Sequence, residues 1–106
     1  LSDNDTLYNL LVVEDNQDLL LLLKNMLSKR YNIYTATNGK EAIEVMTQED
    51  ISLIVSDVMM PEMNGYELCR KVKQDIEFSH IPIILLTAKI SDEMLSMRMN
   101  LVPMHT

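Results

Sequence analysis

Glu14, Asp15, Asp57 and Thr87 are polar residues that close apolar runs. Glu14-Asp15 follows Leu7 to Val13, Asp57 follows Leu53 to Ser56, and Thr87 follows Ile81 to Leu86. Carboxylates gathered on one rim repel each other, so such a rim costs stability unless a cation neutralises it. Carboxylate oxygens, completed by water and a backbone carbonyl, are the ligand set Mg²⁺ prefers. An acid that merely ends a strand and solvates a turn is the ordinary alternative, and any one of the three taken alone reads that way. Three acids at the ends of the first and third runs, with a hydroxyl at the end of the next long one, read together as a site.

The elements that must position these residues alternate. Leu7 to Val13 reads as a buried strand. Asn16 suits an N-cap, with Asp18 in the first turn and Lys29-Arg30 at the far end of a helix over 17–30. Ile33 to Ala36 reads as a second strand. Asn38 with Glu41 resembles a capping box opening a helix to about Thr47. Leu53 to Ser56 is a third strand, and Asn64-Gly65 breaks the chain before a helix with Leu68, Cys69, Val72 and Ile76 on one face. Ile81 to Leu86 is a fourth strand. This order predicts a doubly wound parallel α/β sheet with helices on both faces. Ligands of such sheets bind beyond the carboxyl ends of the strands, where the strand order reverses. Glu14, Asp15, Asp57 and Thr87 all belong there.

Asp57-Val58-Met59-Met60-Pro61-Glu62-Met63-Asn64-Gly65 resembles the hallmark Asp-x-x-Met-Pro-x-Met-Asp/Asn-Gly of receiver domains of two-component response regulators. Val12 to Asn16, Asn38 to Ala42 and Leu86 to Lys89 extend the likeness, which covers about residues 8–93. The wording of residues 78–91 is most similar to receivers of hybrid histidine kinases. The resemblance implies a flavodoxin-like fold. It also implies that Asp57 accepts a phosphoryl group from a kinase histidine or a small acyl phosphate. Glu14, Asp15, Asp57 and the Met59 carbonyl would hold Mg²⁺, and Thr87 would hydrogen-bond the phosphoryl group as the switch. Ala88 is small beside that group, Pro61 fixes a loop dihedral, and Gly65 is expected to allow a left-handed turn.

The resemblance further implies a histidine kinase or histidine phosphotransfer domain as partner, and an output domain in a longer parent chain. The first residue, Leu1, fits a piece of something longer. This chain's own chemistry would be its phosphorylation only, whereas the parent would be a hybrid histidine kinase.

The family pattern breaks after Asp92-Glu93. The expected Lys-Pro pair of a fifth strand is missing, and Lys89 belongs to the loop after strand 4. Four of the nine methionines (Met94, Met97, Met99, Met104) crowd residues 94–106, an atypical tail to a single domain over 1–106. Codons for Leu101 to Thr106 can be shifted to read Gly-Ala-Asn-Ala-Tyr, similar to the family's segment before strand 5. That points to a frameshift near 93–100 with truncation. Strand 5 and helix 5 are therefore expected to be missing, leaving an open strand 4 edge for self-association and an apolar patch on helix 1. The alternative function is a switch-defective receiver acting only as an interaction or assembly module. An aspartyl-phosphate phosphatase of the dehalogenase type would need a carboxylate where Met59 stands.

Other residues read as structure. The side chains of Met59, Met60 and Met63 fill loop and core, Cys69 is a small buried hydrophobe, and Leu19 to Leu23 belong to the core. His80 and His105 carry no assigned role. A net charge of −7 excludes direct nucleic-acid binding. The single cysteine excludes a disulfide framework. No apolar run is long enough to span a membrane, so no membrane contact is expected of this domain. Its expected place is the cytoplasm.

Overall fold

The structure is a computed structural model that describes residues 7–86 and, for their backbone, residues 101–104. Strands β1 (Asn9–Val13), β2 (Asn32–Ala36), β3 (Leu53–Asp57) and β4 (Ile83–Leu86) alternate with helices α1 (Gln17–Leu27), α2 (Gly39–Gln48) and α3 (Gly65–Gln74). The first four strands are parallel, in the order β2-β1-β3-β4. The chain steps outward from β1 in both directions, so the strand order reverses between β1 and β3. This is the expected flavodoxin-like arrangement.

Helix starts follow local chemistry. The Asn16 side chain accepts from the Leu19 N–H at 3.0 Å and caps α1. Asn64 and Glu67 form a reciprocal capping box on α3. The box expected at Asn38 is only half made. Asn38 accepts from the Glu41 N–H, but the Glu41 carboxylate accepts from the Thr37 N–H and hydroxyl instead.

Helix α3 also stops earlier than its apolar spacing predicts. The Asp75 side chain accepts from the Glu77 N–H at 2.8 Å, a local turn that competes with another helical turn. Ile76 is left 95% exposed.

Period-two alternation sorts the strands between two layers. Leu11, Val13, Ile54, Ile83 and Leu85 pack with Ala42, Met46, Leu68, Cys69 and Val72 of α2 and α3. On the other face Leu10 and Val12 pack with Leu20, the one buried residue of α1. The core expectation for Leu19 to Leu23 is thus corrected. Leu20 is buried, but Leu21 and Leu22 are 57% and 52% exposed, because an 11-residue helix turns only one stripe to the sheet.

The tail is a second correction. Beyond β4 no strand is legible in the sequence, yet Leu101–Met104 forms β5, antiparallel to β4, with Leu86 opposite Leu101 and Ile83 opposite Met104. The parallel fifth strand and fifth helix of the family pattern do not occur among the described residues. The outer edge of β4, expected to be open to a second copy, is occupied within the chain, since unpaired strand groups take the extended segment within reach. Pro103 is tolerated there because an edge strand leaves one row of N–H positions unused. The suspected frameshift region 93–100 lies outside the described residues. No described helix is long and apolar enough to cross a membrane.

Candidate functional site

Parallel register brings the acids together. Val13 lies opposite Ser56, so the residues that follow, Glu14 and Asp57, end neighbouring strands at the switch point. One carboxylate oxygen each from Glu14, Asp15 and Asp57 lies within 4.8 Å of the others. Glu14 is 2% exposed and Asp57 6%, while Asp15 faces solvent. Leu86 is paired with Asp57 across β3–β4, so β4 delivers its carboxyl end to the same rim. Thr87 itself, with Ala88 and Lys89, lies outside the described residues.

The two buried acids are partly held by backbone donors. The Asn16 N–H donates to Glu14 Oε2 at 2.9 Å, and the Met59 N–H to Asp57 Oδ1 at 3.3 Å. Glu14 Oε1 is buried with no hydrogen-bond partner among the described residues. Buried polar atoms are nearly always satisfied, so this orphan marks a place prepared for a cationic or donor group. Burial, opposed by the Asn16 N–H and reinforced by Asp15 and Asp57, pushes the Glu14 carboxyl up to about 7. Burial likewise raises Asp57 above the ordinary carboxylate range, against the N–H groups of Met59 and Val58. Both shifts say that the site is unfavourable when charged and alone. Three carboxylates with one orphaned oxygen fit a hard divalent cation.

The loop after Asp57 is tightly specified. Pro61 C=O accepts from the Met63 N–H at 2.7 Å across Glu62, whose φ is 67°. A three-residue turn of this hand is rare and strained, and a left-handed non-glycine residue costs roughly 1–2 kcal/mol.

The left-handed position expected at Gly65 is therefore at Glu62, and no glycine has a positive φ among the described residues. Gly65 is required for space. A Cβ there would stand 2.5 Å from the Asp57 carbonyl oxygen and 2.9 Å from Val58 Cα. Its N–H donates to Val58 C=O at 2.8 Å, so α3 begins pressed against the phosphoacceptor candidate's own backbone.

Met60 and Met63 pack against the core as expected, whereas Met59 turns its side chain to solvent. Cys69 is buried. His80 lines a recess of about 310 Å³ with Glu49, Asp50 and Glu77 at the opposite end of the strands.

Fold and rim together define a class: a doubly wound sheet that presents three carboxylates at its switch point. Residues 10–101 match the response regulator receiver domain model, and the chain belongs to that family.

Among curated relatives, histidine kinase P4 of Formosa agariphila is 52% identical over 82 residues, 77% of this chain and 6% of that protein. Sensor histidine kinase TmoS of Ectopseudomonas mendocina is 41% identical over 84 residues, 79% of this chain and 9% of its length. The chain thus spans under a tenth of these two relatives.

Two solved structures are similar. One is the receiver domain of a signal transduction histidine kinase from Syntrophus aciditrophicus, with TM-score 0.74 and 37% identity over 84% of this chain and 68% of that one. The other is the chemotaxis response regulator CheY4 of Vibrio cholerae, with TM-score 0.73 and 30% identity over 82% and 73%.

Proposed function

We propose that this chain is the phosphoacceptor receiver of a two-component phosphorelay, with Asp57 as acceptor. The observation that carries the reading is the pair of buried strand-end carboxylates, Glu14 with its orphaned Oε1 beside Asp57. A carboxylate oxygen of Asp57 attacks phosphorus, and the bond from phosphorus to the donor breaks. The leaving group is the imidazole of a kinase or phosphotransfer-domain histidine, or the carboxylate of an acyl phosphate.

Glu14, Asp15, Asp57 and the Met59 carbonyl are the residues that would hold Mg²⁺. When bound, the metal supplies charge neutralisation at the transferring phosphoryl oxygens. The Met59 N–H orients Asp57, and the buried walls keep its carboxylate poorly hydrated and hence a better nucleophile. Thr87, next after β4, is assigned the hydrogen bond to the bound phosphoryl group.

The chain is read as one domain of a longer hybrid histidine kinase, on the cytoplasmic side, with an output partner elsewhere in the parent. The likeness to histidine kinase P4 and TmoS supports that parentage.

Phosphoramidate offers the same P–N bond as phosphohistidine and tests the chemistry directly. Incubation with Mg²⁺ is expected to give an adduct that neutral hydroxylamine removes, as it does acyl phosphates. An adduct stable to hydroxylamine would place the phosphoryl group on another side chain and defeat the reading.

A further inference from the structure

The strained turn at Glu62 needs something outside its own loop to hold it, since such conformations persist only where the surroundings over-determine them. The amino-terminal turn of α2 supplies two such contacts. Asn38 uses both ends of its amide. Its oxygen accepts from the Glu41 N–H at 2.8 Å and caps α2, while its Nδ2 donates to Glu62 Oε2 at 3.3 Å. Gly39, next along, has no side chain, and Met63 occupies the space one would fill. A Cβ on Gly39 would stand 2.8 Å from Met63 Cγ and Sδ and 2.9 Å from its Cβ. Glu62 is the residue that the turn's closing bond spans and Met63 donates that bond, and Met59 and Asp57 lie at the start of the same loop.

We propose that Asn38 and Gly39 form a clip that positions the Asp57 loop, gripping Glu62 by a hydrogen bond and seating Met63 in the space of a missing side chain. The proposal rests on the phosphoacceptor reading of Asp57. Asn38, Gly39, Glu62 and Met63 are positioning residues: they act through the loop backbone and need not touch the phosphoryl group. The Asn-Gly pair that opens α2 thereby has a task beyond capping. A phosphoacceptor loop latched to the neighbouring helix also gives α2 a mechanical link to the acceptor.

The bond can be reversed in polarity, which separates the clip from the cap. Asn38→Ser and Asn38→Asp both keep an oxygen to cap α2, but neither can donate to Glu62 as the amide does. Glu62→Gln keeps an acceptor oxygen. In the pair Asn38→Asp with Glu62→Gln, the new glutamine amide can donate to the new aspartate, at unchanged total charge.

With acetyl phosphate and Mg²⁺, phosphorylation of Asp57 is expected to slow roughly tenfold in Asn38→Ser and Asn38→Asp. Glu62→Gln alone should remain near wild type, and the double variant should recover. The amide resonances of Met59 and Gly65 in the metal-free protein should move and return in the same pattern, with melting temperatures near wild type.

Wild-type rates and unmoved Met59 resonances in both Asn38 variants would overturn the clip. So would a double variant no faster than Asn38→Asp, or rate losses that simply follow loss of melting temperature. A wild-type chain that takes no phosphoryl group would instead sink the acceptor reading, and the Met59 resonances would still judge the clip.

Discussion

The two faces of the sheet differ in how completely they are closed, and the site leans on only one of them. Under α2 and α3, fourteen residues form a continuous buried cluster from Leu11 to Leu85. Under α1, three of the described residues are buried, and Ile33, Leu53 and Val55 of the sheet are only half-covered. Two close approaches that shape the Asp57 loop come from the closed face: Gly65 of α3 against Asp57 and Val58, and Gly39 of α2 against Met63. Asp57 is therefore held by the better-packed half of the molecule, while α1 turns Leu21, Leu22 and Met26 outward. Acceptor geometry should be sensitive to damage on one face and tolerant of it on the other.

The sharpest way to expose that asymmetry is a cavity on the closed face. Leu68→Ala, at a fully buried site of α3, is expected to cost about 2–5 kcal/mol in denaturant unfolding. It should weaken Mg²⁺ binding as well, because α3 carries Gly65. A cost below about 1 kcal/mol would show that the face is not close-packed.

Glu14 probes the rim where the faces meet. Its folded value of about 7 lies above its ordinary 4.5. The folded protein therefore keeps a proton that the unfolded chain has released. The stability this contributes is fully present below about 4.5 and is lost as pH rises toward 7. Metal-free protein should melt progressively lower from pH 5 to pH 8. Glu14→Gln should flatten that slope, and Mg²⁺ should oppose it in wild type only. A melting temperature independent of pH over that range would contradict the burial argument.

Gly65→Ala places a methyl against backbone that cannot turn aside, so about 1–3 kcal/mol is expected. Titration calorimetry should show Mg²⁺ affinity falling with it. The smallest effect belongs to the open face. Leu22→Gln, at an exposed site, should change stability by less than about 0.5 kcal/mol and leave Mg²⁺ affinity alone.

Much of this was legible from residue types. Apolar runs bounded by acids placed β1, β3 and the rim, because a buried strand must end where charge begins. Asn16 and Asn38 announced helix starts through a side chain that can act only locally, whereas Asn64 was legible only as a chain break and its reciprocal box with Glu67 was not.

What the sequence hid was decided by contacts distant along the chain. The exposure of Leu21 and Leu22 depends on what covers α1, which periodicity cannot supply. The early end of α3 came from one carboxylate, Asp75, taking the Glu77 N–H. The left-handed residue at Glu62 was missed because glycine is the usual signal for it, and Gly65 stood nearby with a different reason to be small. Strand β5 carries no strand pattern of its own. Leu101–Met104 is extended because β4 offers an edge.

The central claim is that Asp57 is the acceptor and that the acidic rim with Mg²⁺ suffices to charge it. Intact mass after incubation with acetyl phosphate and Mg²⁺, beside an Asp57→Asn control, tests this most directly. The expected result is a single phosphoryl adduct on the wild type, none on the control, and none when Mg²⁺ is chelated. Folded wild-type protein that gains no adduct, or a control that gains one, would contradict it. The first of these outcomes would leave a receiver fold that serves only as an interaction module.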